Sequence, residues 1–116
     1  MANPRDFQIK IRLSVVADGD DEHIGVLSKG TVALLRGIKE TGSLNKAAKE
    51  LHMAYSKAWR IVRETEEGFG YDLITRDGAR GSVLTEQGEK MLAIYEGLLD
   101  EVEEYAQQQY LKRLKA

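Results

Sequence analysis

The chain has 116 residues, an apolar fraction of 42% and a formal net charge of −2, which fits one domain with a modest core that a second copy can complete. Cysteine is absent, so disulfides, thiolate metal sites and cysteine nucleophiles are excluded. The N-terminus lacks the apolar core of a signal peptide, and no segment is apolar enough to cross a membrane, so the sequence predicts a cytosolic protein.

The first predicted element is a strand over residues 7–16. Apolar and polar residues alternate there, as a half-buried strand requires. The acidic stretch DGDDEHIG follows, and its carboxylates lack the twelve-residue ligand spacing and the closing glutamate of a calcium loop. We interpret this stretch as a solvated turn, and we predict no metal site and no cofactor for the chain.

A helix is predicted over residues 28–41. Ser28 can cap its start, and Gly42 lies just past its end, where a left-handed backbone closes many helices. The inward stripe of this helix consists of Val32, Leu35 and Ile38.

Residues 43–67 have the pattern of two short helices joined by a tight turn, which is that of a helix-turn-helix. Ser43 can cap the first helix, and His52 and Met53 fill the turn. The apolar positions of the first helix follow the spacing i, i+3, i+4, i+7 and are Leu44, Ala47, Ala48 and Leu51. The inward positions of the second helix are Ala58, Trp59, Val62 and Thr65. Its outward positions are Tyr55, Ser56, Lys57, Arg60 and Arg63.

Positive charge is concentrated on this motif. Between Ser43 and Arg63 there are five basic residues and one acid, although the whole chain is slightly acidic. A basic excess on a predicted recognition element favours contact with nucleic-acid phosphates.

Residues 71–84 predict a strand, a glycine-rich tip and a second strand, because Asp77, Gly78 and Gly81 can supply the backbone angles of a hairpin. Arg76 and Arg80 flank or occupy the tip. In a winged helix such a hairpin lies beside the recognition helix, where its basic side chains reach phosphate or the minor groove. A nucleotide-binding loop is disfavoured, because neither GxxxxGK[ST] nor a strand, GxGxxG and helix arrangement is present.

The last predicted helix spans residues 85–113, with Thr85 as its cap. Seven acids oppose one lysine over residues 84–105, so we expect this helix to face away from DNA or to contact a protein; a solvated face is compatible with both. Its apolar stripe is longer than a small domain needs, which favours a helix-to-helix dimer contact over purely intramolecular packing. The predicted dimer residues are Met91, Tyr95, Leu98, Val102 and Tyr105.

The run GSLNKAAKELHMAYSKAW, the wing region after it and the run VLTEQGEKMLAIYEGLL resemble the N-terminal DNA-binding domain of the ModE family of molybdate-responsive transcriptional regulators. The helix-turn-helix is also similar to that of LysR-type regulators. The most characteristic features are the preceding strand, the GSL pattern at residues 42–44 and the YSKAW run at residues 55–59. The resemblance covers about residues 7–99.

This resemblance implies a mainly α fold with a small β component. The fold would be a winged helix-turn-helix with an N-terminal strand, a β-hairpin wing and a long C-terminal dimerisation helix. Two departures are evident: the wing sequence RDGARGS is less glycine-rich than the family's usual loop, and ModE regulators continue into molybdate-binding domains where this chain ends. We therefore do not predict direct oxyanion sensing.

The resemblance also implies roles for individual residues. Ser43, Asn45 and Lys46 would lie near phosphate, and the second motif helix would enter the major groove with Tyr55, Ser56 and Lys57 at its start. Trp59 corresponds to the family's tryptophan and is interpreted as a core anchor. Further phosphate contacts are expected from Lys49, Arg60, Arg63, Arg76 and Arg80. The predicted partners are double-stranded DNA and a second copy of the chain, and a separate regulatory protein is compatible with the sequence.

The main alternative is a winged-helix module that binds protein and does not read DNA. It is supported by the acidic balance of the chain and by the cluster Glu64, Glu66 and Glu67 after the recognition helix. An enzyme is disfavoured, because His23 and His52 are isolated and neither belongs to a nucleophile or metal motif.

Overall fold

The computed structural model describes residues 3–16, 27–76 and 81–116. Within these ranges the chain forms four α-helices and one β-hairpin, preceded by a 3₁₀ turn at Pro4–Asp6. In chain order the elements are α1 (Lys29–Thr41), α2 (Leu44–Glu50), α3 (Tyr55–Phe69), β1 (Ile74–Arg76), β2 (Ser82–Leu84) and α4 (Glu86–Lys115). This is the mainly helical, winged helix-turn-helix architecture that the sequence predicts.

Some predicted features lie outside the described residues. They are the acidic turn DGDDEHIG at residues 18–25, which includes His23, and the wing tip with Arg80. Among the helices that are described, none is long and apolar enough to cross a membrane.

Helix α1 begins and ends where its capping residues predict. The Ser28 hydroxyl accepts a hydrogen bond from the Thr31 N–H at 3.3 Å. Gly42 adopts φ 75°, and its N–H donates to the Ile38 carbonyl at 2.7 Å. A left-handed residue just past the last turn needs glycine, because a Cβ disfavours that backbone region. The predicted inward stripe is buried, and Leu34 joins it.

The core lies between α1, α2, α3, the hairpin and the first part of α4. Each fully buried aliphatic side chain contributes about 1.5–3 kcal/mol to folding through its removal from water. The largest buried aliphatic side chains are those of Leu27, Leu34, Leu35, Ile38, Val62, Leu73 and Leu92.

Helices α1 and α2 cross closely at Gly37. A Cβ built on this residue would lie 2.6 Å from the Ala47 Cβ and 3.2 Å from the Ala47 Cα. Because carbon atoms in ordinary contact are about 3.5–4.0 Å apart, the crossing requires glycine at this position. The contact fixes the angle at which the first helix of the helix-turn-helix packs on α1.

The N-terminal segment shows the predicted alternation in burial from Ile9 to Val15, whereas Phe7, which was expected on the same inward face, is 54% exposed. Over residues 7–14 no ladder forms in the described part of the chain, and Val15 pairs with Leu27 in an isolated bridge. The residues between the half-buried ones are exposed. The half-buried residues are Ile9, Ile11, Leu13 and Val15.

Side chains of α4 take the place of that neighbouring strand. Backbone polar groups need partners wherever water is excluded, and here the partners lie roughly a hundred residues away in the sequence. The hydrogen bonds join Ile9 N–H to Gln107 at 2.7 Å, Ile11 N–H to Glu103 at 2.9 Å, Leu13 O to the Tyr95 hydroxyl at 2.6 Å and Pro4 O to the Tyr110 hydroxyl at 2.7 Å.

Helix α4 has 30 residues and is therefore about 45 Å long. Thr85 caps its start as predicted, since its hydroxyl accepts the Gly88 N–H at 3.0 Å. Two ion pairs join it to α1: Arg36 with Glu96, and Lys39 with Glu89 at 2.7 Å. All four side chains are more than a third exposed, so each pair contributes at most about 1 kcal/mol.

Candidate nucleic-acid interface

The turn between α1 and α2 is held by short side-chain contacts. The Ser43 hydroxyl accepts the Lys46 N–H at 3.1 Å, which confirms Ser43 as the cap of α2. The Thr41 hydroxyl donates to the Gly37 carbonyl at 2.7 Å and accepts the Ser43 N–H at 3.2 Å. These bonds fix the start of α2, from which Asn45, Lys46 and Lys49 project as exposed residues.

The turn between α2 and α3 is closed by backbone hydrogen bonds. The His52 N–H donates to the Lys49 carbonyl at 3.0 Å, and the Met53 N–H donates to the Ala48 carbonyl at 2.9 Å. His52 adopts φ 54°, a left-handed conformation that non-glycine residues adopt at some energetic cost. The exposed His52 therefore occupies a turn position, as the sequence predicts.

Helix α3 presents the predicted recognition residues to solvent. Tyr55 is 50% exposed, and Ser56, Lys57 and Arg60 are exposed as well. Ala54, at the cap position, makes no side-chain hydrogen bond to the helix, so the N–H groups of the first turn keep their donor capacity for a ligand.

The opposite face of α3 packs into the core. Ala58 and Val62 are fully buried, and Thr65 is 1% exposed. Trp59 is half-buried and packs against the core, in agreement with its interpretation as an anchor. The inward and outward faces of α3 are therefore those that its periodicity predicts.

The basic residues of the interface differ in how far other groups neutralise them. Arg60 pairs with Glu64 at 3.4 Å, and Arg63 lies 4.0 Å from Glu66. The Arg63 guanidinium carbon also lies 5.6 Å from the centre of a Trp59 ring. Within the described ranges, the cations of this surface without a salt bridge are Lys46, Lys49 and Lys57.

Glu66 has a role that sequence reasoning missed. It is 6% exposed, and its Oε2 accepts the N–H groups of Leu73 at 2.8 Å and Ile74 at 3.3 Å. The acidic cluster that was expected after the recognition helix lies within the last turns of α3. It is divided, because Glu64 and Glu67 are exposed whereas Glu66 is buried. The available signal was spacing, since Glu66 follows the buried Val62 by four residues and so shares its helix face.

The wing is a short antiparallel hairpin whose base lies against the helix-turn-helix. Its paired residues are Ile74 with Leu84, Thr75 with Val83 and Arg76 with Ser82. The Ser82 N–H donates to the Gly42 carbonyl at 2.9 Å. A Cβ on Gly81, which has φ 94°, would lie 2.3 Å from that same oxygen, so glycine allows this close approach. Arg76 belongs to β1 by its backbone; its side chain and Arg80 lie outside the described part.

The predicted dimer residues on α4 are divided between two faces. Tyr95 is 3% exposed and Met91 packs against the core. Leu98 and Tyr105 are 43% and 65% exposed, and Val102 is half-buried. Ile94, which was not predicted, is 47% exposed and lies four residues before Leu98.

Acidic and histidine side chains do not gather into a metal site here. In the ranges that the structure describes, no group of three or more potential ligands can hold a metal ion.

These elements define a winged helix-turn-helix domain. Helices α1 and α2 cross closely, α3 exposes the predicted recognition residues, and a hairpin lies beside α3. Residues 31–89 match the model of the family described as bacterial regulatory helix-turn-helix protein, lysR family. The chain belongs to this family.

Individual relatives confirm the ModE resemblance as well. The molybdenum-pterin-binding protein MopB of Rhodobacter capsulatus is 37% identical over 68 residues, which are 55% of this chain and 25% of MopB. The DNA-binding transcriptional dual regulator ModE of Escherichia coli (strain K12) is 29% identical over 79 residues, which are 65% of this chain and 30% of ModE. The matched part thus spans about a quarter to a third of the length of these relatives.

Solved structures have the same fold. ArgP from Mycobacterium tuberculosis is 26% identical with a TM-score of 0.56, covering 72% of this chain and 31% of ArgP. The CbnR DNA-binding domain in its DNA complex is 22% identical with a TM-score of 0.61, covering 72% of this chain and 94% of that domain. At that identity the CbnR likeness supports the fold alone.

Proposed function

We propose that the chain is a sequence-specific DNA-binding transcriptional regulator that acts as a homodimer on an inverted-repeat operator. The observation that carries this proposal is the shared exposure of the unpaired lysines on α2 and α3. Lys46, Lys49 and Lys57 lie on the two helices of a helix-turn-helix in a chain whose net charge is −2. Among the described residues these lysines form no salt bridge, and a phosphate backbone would attract them.

The docking we infer puts the start of α3 in the major groove. Tyr55, Ser56 and Lys57 would meet base edges, where lysine can bind guanine acceptors and a hydroxyl can bind several bases. Ser43, Asn45 and Lys46 at the start of α2 would contact phosphate, together with Arg76 and Arg80 of the wing. Arg60 and Arg63 would exchange their glutamate neighbours for phosphate oxygens.

The dimer contact we infer lies on the exposed face of α4. Ile94, Leu98 and Tyr105 are large side chains that protrude at spacings of four and seven residues, which is the periodicity of a helix-to-helix seam. The first turn of α4 carries Glu86 and Glu89, whereas its last turn is basic. In an antiparallel pair, the acidic first turn of one α4 would lie beside the basic last turn of the other. Half-sites one helical turn apart would require the two recognition helices of the dimer to lie about 34–36 Å apart.

A titration of labelled duplex DNA by fluorescence anisotropy tests the function. A selection from random duplexes should recover a palindrome, and the affinity should fall steeply with salt, with a slope of about 0.9 per phosphate contacted. Lys57→Ala should weaken binding by about tenfold if it removes one good base contact of about 1–3 kcal/mol. Lys90→Ala, an exposed lysine on α4, serves as the control and should bind normally. A Lys57→Ala chain that binds with the same affinity and salt slope as the Lys90→Ala control would contradict the proposed docking face.

The dimer has its own test by analytical ultracentrifugation. Leu98→Glu should shift the chain towards monomer, because it introduces a charge into an apolar seam. Leu51→Glu is the matched control, since Leu51 is 39% exposed but lies at the end of α2. Dissociation of both variants, or of neither, would argue against the α4 contact.

A protein-binding module remains the second candidate. The exposed acids of α4, among them Asp100, Glu101 and Glu104, favour it because they would suit a basic partner. The absence of saturable DNA binding even at low salt would favour this alternative.

A further inference from the structure

Glu66 connects the recognition helix to the wing. Its carboxylate comes from the last turns of α3 and accepts two successive backbone N–H groups, those of Leu73 at 2.8 Å and Ile74 at 3.3 Å. Ile74 is the first residue of β1. Both Leu73 and Ile74 are buried, so water cannot replace the carboxylate as their partner.

The same carboxylate lies beside a cation of the DNA-facing helix. Its Oε1 is 4.0 Å from an Arg63 nitrogen, and the Arg63 guanidinium lies over the Trp59 ring at 5.6 Å. Arg63 has an exposed side chain fraction of 48%, whereas that of Glu66 is 6%. Glu66 is thus the fixed member of the pair, and Arg63 is the member that can move towards a ligand.

Helix α4 holds the start of β1 from the other side. The Thr85 N–H donates to the Leu73 carbonyl at 3.0 Å, and the Thr85 hydroxyl donates to the Asp72 carbonyl at 2.7 Å. A Cβ on Gly88 would lie 2.0 Å from the Leu73 carbonyl oxygen. The residue before β1 is therefore clamped between α3 and α4, and Glu66 supplies the α3 side of the clamp.

We propose that Glu66 is a positioning residue for DNA binding. It fixes the wing relative to α3, so that the wing arginines and the start of the recognition helix meet the duplex in one register. This inference rests on the proposed function, because it assumes that both elements contact DNA. The buried Glu66 carboxylate would therefore support DNA binding through the position of the wing, although its own negative charge repels phosphate.

Two substitutions of Glu66 distinguish its role in positioning the wing from the effect of its negative charge. Glu66→Gln keeps an oxygen at the same reach, so both N–H groups retain an acceptor, but it removes the negative charge beside Arg63. Glu66→Asp keeps the charge, but its side chain is one methylene shorter and cannot reach β1 without movement. If Glu66 acts by position, Glu66→Gln should bind DNA within about twofold of the wild-type chain, and Glu66→Asp should bind about tenfold more weakly.

The experiment is a double-mutant cycle measured by fluorescence anisotropy on the selected duplex at several salt concentrations. Arg76→Ala combined with Arg80→Ala removes the wing contacts, and Lys57→Ala removes a contact of α3. In the wild-type and Glu66→Gln backgrounds, the wing substitutions should weaken binding and lower the salt slope by about 0.9 per lost phosphate contact. In the Glu66→Asp background the wing substitutions should reduce the affinity for DNA only slightly, because the wing is already misplaced. Lys57→Ala should reduce the affinity by the same factor in every background.

The outcomes of this cycle distinguish the positioning role of Glu66 from the proposed DNA-binding function. Equal costs of the wing substitutions in all three backgrounds, or normal binding by Glu66→Asp, would overturn the positioning role while leaving DNA binding intact. Should Glu66→Asp fail to fold, Glu66→Ala, which removes the acceptor, takes its place in the cycle. Wing substitutions that weaken binding as much in Glu66→Ala as in the wild-type chain would overturn the positioning role, and a smaller effect would support it. No saturable binding by the wild-type chain would instead refute the proposed function, and the positioning role with it.

Discussion

Substitution of Gly37 by alanine tests the close crossing of α1 and α2. Away from any neighbour, alanine favours a helix interior by about 0.8–1 kcal/mol over glycine. At this position, however, the new methyl group would lie 2.6 Å from the Ala47 Cβ. That is about 1 Å inside ordinary carbon contact, so the two helices must separate or tilt.

The balance of these two effects gives the expected magnitude. Overpacking typically costs about 1–3 kcal/mol, and the upper part of that range applies because both carbons are attached directly to the main chain. After the helix preference is subtracted, we expect Gly37→Ala to lower the free energy of unfolding by about 1–2 kcal/mol. For a chain of this size that is a fall of about 5–10 °C in the melting temperature.

Urea denaturation followed by circular dichroism at 222 nm, at fixed protein concentration, measures the effect. Gly30→Ala on the same helix is the matched control, because its Cβ would meet only the Ser28 hydroxyl at 3.7 Å; it should be neutral or stabilising. Adding Ala47→Gly to Gly37→Ala removes the clashing methyl and should recover part of the loss. A Gly37→Ala chain as stable as the Gly30→Ala chain would refute the close crossing.

Three further predictions concern stability. Burial raises the pKa of Tyr95 above its ordinary value, with Arg12 opposing this. The folded chain then keeps the phenol proton where the unfolded chain loses it, so stability is complete below about pH 10 and falls as the pH rises through the raised pKa. Tyr95→Phe should remove this dependence in alkaline urea melts and lower stability at pH 7 by about 1 kcal/mol. The buried hydroxyls of Thr31 and Thr65 lie 3.1 Å apart; either single change to valine should cost about 1 kcal/mol, and the double change should cost less than the sum in a denaturation cycle. Gly88→Ala should lower the melting temperature in calorimetry by several degrees, because its Cβ meets a backbone oxygen at 2.0 Å; an unchanged value would contradict the packing of α4 on the wing.

The helices and their faces were predictable from the sequence because periodicity and caps act locally. Ser28, Ser43 and Thr85 all cap the helices that they were predicted to cap. The buried face of α3 follows from the spacing of Ala58 and Val62 in the same way. Such signals depend on residues within one or two turns of each other, and a single sequence contains them in full.

The remaining features depend on contacts between distant residues, which a single sequence does not encode locally. The predicted seam on α4 included Tyr95, and its periodicity could not reveal that the N-terminal segment covers this face. The same limit applies to Glu66, which resembled its exposed neighbours in type although it binds the main chain of the wing. Residues that serve distant backbone groups look like ordinary surface acids or polar residues until the partners are known.

The hydrogen bonds between the N-terminal segment and α4 have a consequence for the order in which this protein folds. The main chain of residues 4–13 meets partners as far along as Tyr110, which is 106 residues from Pro4. Contacts between residues so far apart in the sequence form late, because closing the long loop between them costs conformational entropy. The helix-turn-helix, whose contacts are local, can therefore form before the N-terminal segment packs on α4.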